Sequence, residues 1–275
     1  MRFDLILASI NRKCSLVNLL RSLERQTHSD FRILLVDQNP PGFLDDILAE
    51  FQSKTNPLEI VHLRSQPGLS RARNIGLANV KGDAFAIMDD DLIYENDTLS
   101  NANNALKQCD IVIGKMISLH DEYPKKIKFL KKRRLKYLHE AFYSAPSATL
   151  FFRKEVGERL LPEGFNESIG AGTNSPYGSG AETDFLVRAM KINFCVMRHP
   201  EVIVRHPKID TTDPSIFPKA RRYGRGRNFI IRQHNLGGWF IAANAIQAAA
   251  HIFQRPFNFS AVRYHWQVLL GRLGI

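Results

Sequence analysis

The chain has 275 residues, 44% hydrophobic and 24% charged, which allows one large α/β domain or two smaller ones and excludes a disordered, collagen-like or disulfide-scaffold protein. Its three cysteines, Cys14, Cys109 and Cys195, are widely spaced and odd in number, so neither a CxxC metal site nor a full disulfide framework is expected, and a reducing, cytosolic setting is. The net charge of +11 is concentrated in residues 125–136, with eight basic residues, and 214–275, with nine, neither holding an acid; the remainder carries −6, which argues against a uniformly basic nucleic-acid binder and for an anionic membrane surface as partner.

In chain order, residues 3–10 form an apolar, strand-length run. Asp4 interrupts it, leaving about six apolar residues, fewer than the roughly 7 to 15 of a secretory signal core. Leu16, Leu19, Leu20 and Leu23 follow at the three- and four-residue spacing of an amphipathic helix. Strand signals recur at 31–36, 58–63 and 85–88. A helical pattern spans 43–51, and a further helix opens at Ser70 as N-cap and ends near Gly82. Strands alternating with helices predict right-handed βαβ units and a mostly parallel sheet, the α/β class.

Ligands of such sheets bind beyond the carboxyl ends of the strands. The residues there are Ser9, Asn11 and Arg12; then Asp37, Gln38 and Asn39; then Asp89, Asp90 and Asp91. Polar residues are ordinary in turns, but three successive acids repel one another unless a cation intervenes, which suggests a metal or substrate role.

A fifth strand is expected at 110–117, followed by the basic segment 125–136. Its Ile127, Leu130 and Leu135 suggest an amphipathic stretch lying on a membrane. After an apolar stretch at 148–152 the alternation fails. Residues 164–180 are rich in Gly, Ser, Asn and Pro and read as a long loop, of the kind that is usually functional or disordered. The loop delivers the chain to Glu182 and Asp184 at the start of a helix over 183–192, where acids also suit the helix dipole. A later strand, 195–206, ends at His206.

Beyond it, Arg221, Arg222, Arg225 and Arg227 surround Tyr223, either as a site for lipid-diphosphate or anionic headgroups or as a solvated basic helix face. Residues 235–254 carry no formal charge, the length of a membrane span, but Asn244, Gln247, His251 and two glycines favour an interfacial or core helix.

No GxxxxGK[ST] and no GxSxG occurs, and the GxG at Gly224 and Gly226 lacks a preceding strand, so kinase, dinucleotide-oxidoreductase and hydrolase-triad readings fall away. The remaining parts suit departure of a diphosphate. Asp89 and Asp91 are spaced to chelate a hard cation such as Mg²⁺ or Mn²⁺, and Glu182 can serve as general base on an acceptor hydroxyl. Arg71 and Arg73 can reach a diphosphate.

The pieces ending in SINR, VDQNP, PGLSRARNIGL, AIMDDDL, GSGAETDFLVRA and VRHP, in this order over residues 3–207, resemble the family 2 glycosyltransferases. The resemblance implies the GT-A fold over 1–210, with a helical basic extension over 211–275, and transfer from a nucleotide-sugar to a saccharide or lipid-linked acceptor in surface polysaccharide or glycolipid assembly. It implies Ser9 and Asp37 as base and ribose contacts, with Asn11, Arg12, Arg71, Arg73, Asn74, Asp89 and Asp90 along the donor. Asp89 and Asp91 look like the DxD motif, and His206 is similar to the histidine that closes a metal site, or is a turn residue before Pro207. The family's Glu-Asp-x-Asp base motif falls on Ala181, Glu182, Thr183 and Asp184, so the base is Glu182 or Asp184. Inversion at the anomeric carbon, divalent-metal dependence, no nucleic-acid partner, and a cytoplasmic position at the inner face of the membrane complete the expectation. The rival readings are a sugar nucleotidyltransferase, which needs a glycine-rich loop absent from SINRKC, and a non-catalytic membrane- or polyanion-binding protein.

Overall fold

The computed structural model describes the whole chain except residues 120–130, 145–146, 209–212, 214 and 255–257. Two compact units emerge, one made of Met1–Pro67, Arg71–Gly164 and Arg188–Lys208, the other of Gly68–Ser70, Phe165–Val187 and Ile209–Ile275.

The first unit begins with β1 (Phe3–Ser9), α1 (Lys13–Leu23), β2 (Phe31–Asp37), α2 (Asp45–Gln52), β3 (Ile60–Arg64), α3 (Leu69–Ala78) and β4 (Ala84–Asp89). Then come β5 (Ile93–Tyr94), α4 (Thr98–Leu106), β6 (Ile111–Ser118), β7 (Arg133–Arg134), α5 (Ala141–Ser144), β8 (Leu150–Arg153) and α6 (Lys154–Leu160). The helix α7 (Ala181–Lys191) leads into β9 (Val196–His206). The strand order is β3-β2-β1-β4-β8-β6-β9-β5, with β7 on β9.

The half β3-β2-β1-β4 is parallel throughout, β8 runs against β4 and β6, and β9 runs parallel to β6. A parallel sheet is covered on both faces, so its strands read as continuous apolar runs. Every residue of β1, including Asp4, is buried, which is why strand and helix order were legible here. The two-residue edges β5 and β7 and the helix α4 carried no such run and were not expected.

Register sets the site. Ser9 lies opposite Asp37, and Ala8 opposite Asp89, so three strands end level with one another. At the far side β5 pairs antiparallel with β9, placing Ile93 opposite Arg205. The residues just before β5 are thereby brought to the carboxyl end of β9.

Of the basic segment, residues 125–130 lie outside the described residues, and with them Ile127 and Leu130. Within the described part, Arg133–Arg134 form the short strand β7, with Arg133 opposite Arg198, and Leu135, expected on the membrane-facing side of the stretch, is buried in the protein.

The second unit holds the 165–180 loop, the first turns of α7, and α8 (Ile216–Gln233), α9 (Gly238–Phe253) and α10 (Phe259–Leu273). The GxG pair lies inside α8 and serves packing. A Cβ on Gly224 would stand 2.5 Å from the Val268 carbonyl oxygen of α10, and one on Gly226 would stand 2.1 Å from that of Ser179. Among the described residues no helix is long and apolar enough to cross a membrane.

Candidate active site

At the end of β2, Asp37 is buried with its carboxylate fully engaged. Oδ1 accepts from the Asn39 backbone N–H at 2.8 Å and from Asn39 Nδ2 at 2.7 Å. Oδ2 faces His62 Nε2 at 3.0 Å and accepts from Arg64 Nη1 at 2.5 Å. Asn39 Oδ1 in turn accepts from the Asn11 N–H at 2.6 Å. Asn11 holds a positive φ of 59°, which asparagine tolerates better than most residues, so the turns after β1 and β2 are locked together.

His62 and Arg64 were not anticipated. They stand two apart on β3 and so share one face of the strand; the expected strand ended at residue 63, one short of Arg64.

The acid cluster is not left to repel itself. Asp90 is buried and turned inward, its Oδ2 accepting from Ser9 Oγ at 2.9 Å and from the Ile10 N–H at 3.3 Å. Ser9 and Asp90, both expected along the donor, are thus hydrogen-bonded to each other. Arg12, just ahead of α1, donates to Asp90 Oδ1 at 3.2 Å and to Asp91 Oδ2 at 2.5 Å. Arg73, almost fully buried on α3, donates to Asp89 Oδ1 at 3.0 Å. The intervening cations are the protein's own.

Burial raises the Asp90 carboxyl above its ordinary range, against the pull of Ser9 and Arg12. Burial would lower the Arg12 guanidinium, but Asp91 and Asp90 outweigh it and raise it. Below the cluster the Tyr94 phenol is pushed far up by burial, with the Asp89 charge adding to the effect. Arg71 is exposed on the first turn of α3, and Asn74, further along it, packs against Gly164.

Two further residues face each other at the end of β9. His206 Nε2 stands 3.5 Å from Asp91 Oδ1, and that oxygen is buried with no hydrogen-bond donor among the described residues. His206 Nδ1 lies 2.6 Å from the Pro207 carbonyl oxygen. A carbonyl can only accept, so Nδ1 carries a proton, and in the neutral ring Nε2 then points its lone pair toward the carboxylate. This is how a histidine is oriented to ligate a metal. The turn contact to Pro207 and the ligand geometry are thus two sides of one ring, and the donor set suits a divalent cation. Among the described residues no group of three His, Cys, Asp or Glu gathers at one point, since Asp89 is turned to Arg73.

In the second unit, Asp184 is buried, and its Oδ1 accepts from His234 at 2.8 Å and Gln233 at 3.3 Å, both at the end of α8. Glu182, two residues earlier on α7, is only half-buried. Four of the five arginines of α8 hydrogen-bond to other parts of this unit. Arg222 donates to the Thr173 and Ser175 carbonyls of the loop. Arg221 and Arg225 donate to an oxygen of Ile275, and Arg227 donates to Asn244.

The profile described as glycosyl transferase family 2 matches residues 4–156, more than half of the chain. Glycosyltransferase GlyG of Streptococcus pneumoniae serotype 4 is 30% identical over 102 residues, 36% of this chain and 34% of that protein; the matched stretch thus spans about a third of that relative. Among solved structures, the mannosyltransferase PcManGT of Pyrobaculum calidifontis, in complex with GDP-Man and Mn²⁺, superposes with a TM-score of 0.68 at 14% identity, covering 99% of this chain and 87% of that one. S. aureus TarS 1–349 in complex with UDP-GlcNAc gives 0.60 at 15%, covering 100% and 92%. These two share the GT-A fold with this chain. Carrying the family's match across β1 to β4 and the acid cluster that ends them, the chain belongs to glycosyl transferase family 2.

Proposed function

We propose that this chain transfers a sugar from a nucleotide-diphospho-sugar to a saccharide or lipid-linked acceptor, with inversion and with a divalent cation, in the assembly of a surface polysaccharide or glycolipid. The observation that carries the reading is the facing pair Asp91 and His206 beside three level strand ends. The mannosyltransferase with GDP-Man and Mn²⁺ and the TarS complex with UDP-GlcNAc support the donor class and the metal.

In this reading residues 1–210 are the transferase domain and 211–275 the extension. Asp37, held rigid by Asn39, His62 and Arg64, receives the nucleoside, and the Asp89 carboxylate, fixed by Arg73, lies toward the ribose. Rigid partners are what such a site requires, because positioning contributes most when it is built before the ligand arrives. Asp91 and His206 would hold Mg²⁺ or Mn²⁺, which neutralises charge on the diphosphate as it leaves. Arg12 and Arg71 supply further charge-assisted hydrogen bonds to the phosphates.

Glu182 accepts the proton of the acceptor hydroxyl as that oxygen bonds to the anomeric carbon and the bond to the diphosphate breaks. Asp184 is a poorer base in this reading because it is fully buried against His234, whereas Glu182 is half-buried. The excess of base in 214–275 supports work against an anionic surface at the cytoplasmic face of the membrane.

Thermal stability against nucleoside diphosphates and nucleotide-sugars, each with and without Mn²⁺, tests the reading. A ligand that binds only the native state adds about 2.7 kcal/mol at a hundredfold excess over its Kd. A metal-dependent rise with one diphosphate, lost in Asp91→Ala, is expected. Indifference to every nucleotide would favour the second reading, a binding protein on this fold, for which Ala181 in the family's glutamate position speaks.

A further inference from the structure

The exposed large apolar side chains gather at the end of the chain. Trp239, Ile246 and Phe253 recur every seven residues on α9, and Phe259, Trp266 and Leu273 do the same on α10; they are 45% to 84% exposed. Seven residues are nearly two helical turns, so each trio lies along one face of its helix. On α9 that face is opposite the buried Phe240, Asn244 and Ala248, and the positions between its large residues are alanine.

No Asp, Glu, Lys or Arg occurs anywhere in α9. A soluble helix ordinarily turns a polar face to water, and an outward face without one marks a binding surface. At 16 residues the helix is about 24 Å long, too short to cross a hydrocarbon core of about 30 Å.

The chemistry around this surface selects its occupant. Residues 214–275 contain nine basic residues and no acid. Arg263 is exposed on α10 beside Phe259 and Trp266, and Lys219 is exposed on α8. A second copy of so basic a surface would be repelled, whereas an anionic bilayer satisfies both the apolar face and the charge.

We propose that α9 and α10 dock the chain on an anionic lipid bilayer by inserting these aromatic and aliphatic side chains into the headgroup and acyl boundary. The inference rests on the reading of an anionic membrane partner and changes its mode, from adsorption of basic segments to insertion of an apolar face. It is independent of sugar transfer.

The test uses a convenient fact: Trp239 and Trp266 are the chain's two tryptophans, so intrinsic fluorescence reports on this surface. Full-length protein is floated with phosphatidylcholine vesicles with and without phosphatidylglycerol, including vesicles whose acyl chains are brominated. Binding to the anionic vesicles with bromine quenching of the tryptophans is expected. Ile246→Ser with Phe253→Ser and Phe259→Ser, all at exposed positions, should keep the melting temperature and weaken binding by about tenfold or more.

Salt-reversible binding with unquenched tryptophans, unchanged in that variant, overturns insertion while leaving the membrane partner standing. Failure to bind any vesicle overturns both. A wild-type dimer in solution that the triple variant dissociates, without vesicle binding, assigns the surface to a second copy instead.

Discussion

His206 presents Nε2 to Asp91 Oδ1 at 3.5 Å because its Nδ1 is committed to the Pro207 carbonyl. The two residues are 115 positions apart, and the antiparallel pairing of β5 with β9 brings them together. If this pair holds the cation, His206→Ala and Asp91→Ala should each weaken Mn²⁺ binding by about 10- to 100-fold, the range seen when metal-site partners are lost. Titration followed by electron paramagnetic resonance reads this directly. Unchanged Mn²⁺ affinity in both variants would remove the pair from the metal site.

The two acids of α7 should separate cleanly. Glu182→Gln is expected to leave the melting temperature and donor binding in place while slowing transfer by about 10² to 10⁴, the usual worth of a general base. Asp184→Ala strands the buried His234, so it should lower stability by about 1–3 kcal/mol. Denaturation midpoints beside turnover separate the two; a Glu182→Gln protein with full activity would reassign the base.

Asp4 carries the clearest pH signature. Burial opposes its ionisation, but Arg32 at 2.6 and 2.9 Å, with the Gly82 and Lys81 N–H groups, outweighs burial and holds the carboxyl below its ordinary 3.8. A depressed folded value means the contribution is present above the unfolded pKa and is lost as pH falls through the folded one. Wild-type stability should therefore decline below about pH 4. Asp4→Ala, which leaves Arg32 nearly buried without its carboxylate, should cost about 3–5 kcal/mol at neutral pH and flatten that acid limb. Urea midpoints across pH check both statements.

On α3, a Cβ at Gly76 would stand 2.3 Å from Ile6 Cγ2 of β1. Ile6 is fully buried and branched at Cβ, so it cannot swing that methyl aside. Gly76→Ala should cost about 1–3 kcal/mol by overpacking, against the gain of up to about 1 kcal/mol that alanine brings to an unobstructed helix. A midpoint equal to or above wild type would mean that α3 sits further from the sheet.

Much of this protein was determined by sequence alone. Strands buried on both faces of a parallel sheet read as unbroken apolar runs, so β1 to β4 and the helices between them were visible, and with them the polar residues at the strand ends. What the tertiary structure decided was partnership. The three acids are quiet because Arg12 and Arg73 reach them from separate elements. Asp184 is distinguished from Glu182 by a histidine 50 residues later. The GxG of α8 is a packing device, and Arg222 beside it is turned to the Thr173 and Ser175 carbonyls. Conversely, the apolar faces of α9 and α10 point outward, which an alanine-rich helix pattern does not reveal. Periodicity is a property of neighbouring residues and survives in one dimension, whereas compensation of a buried charge depends on which distant side chain arrives beside it.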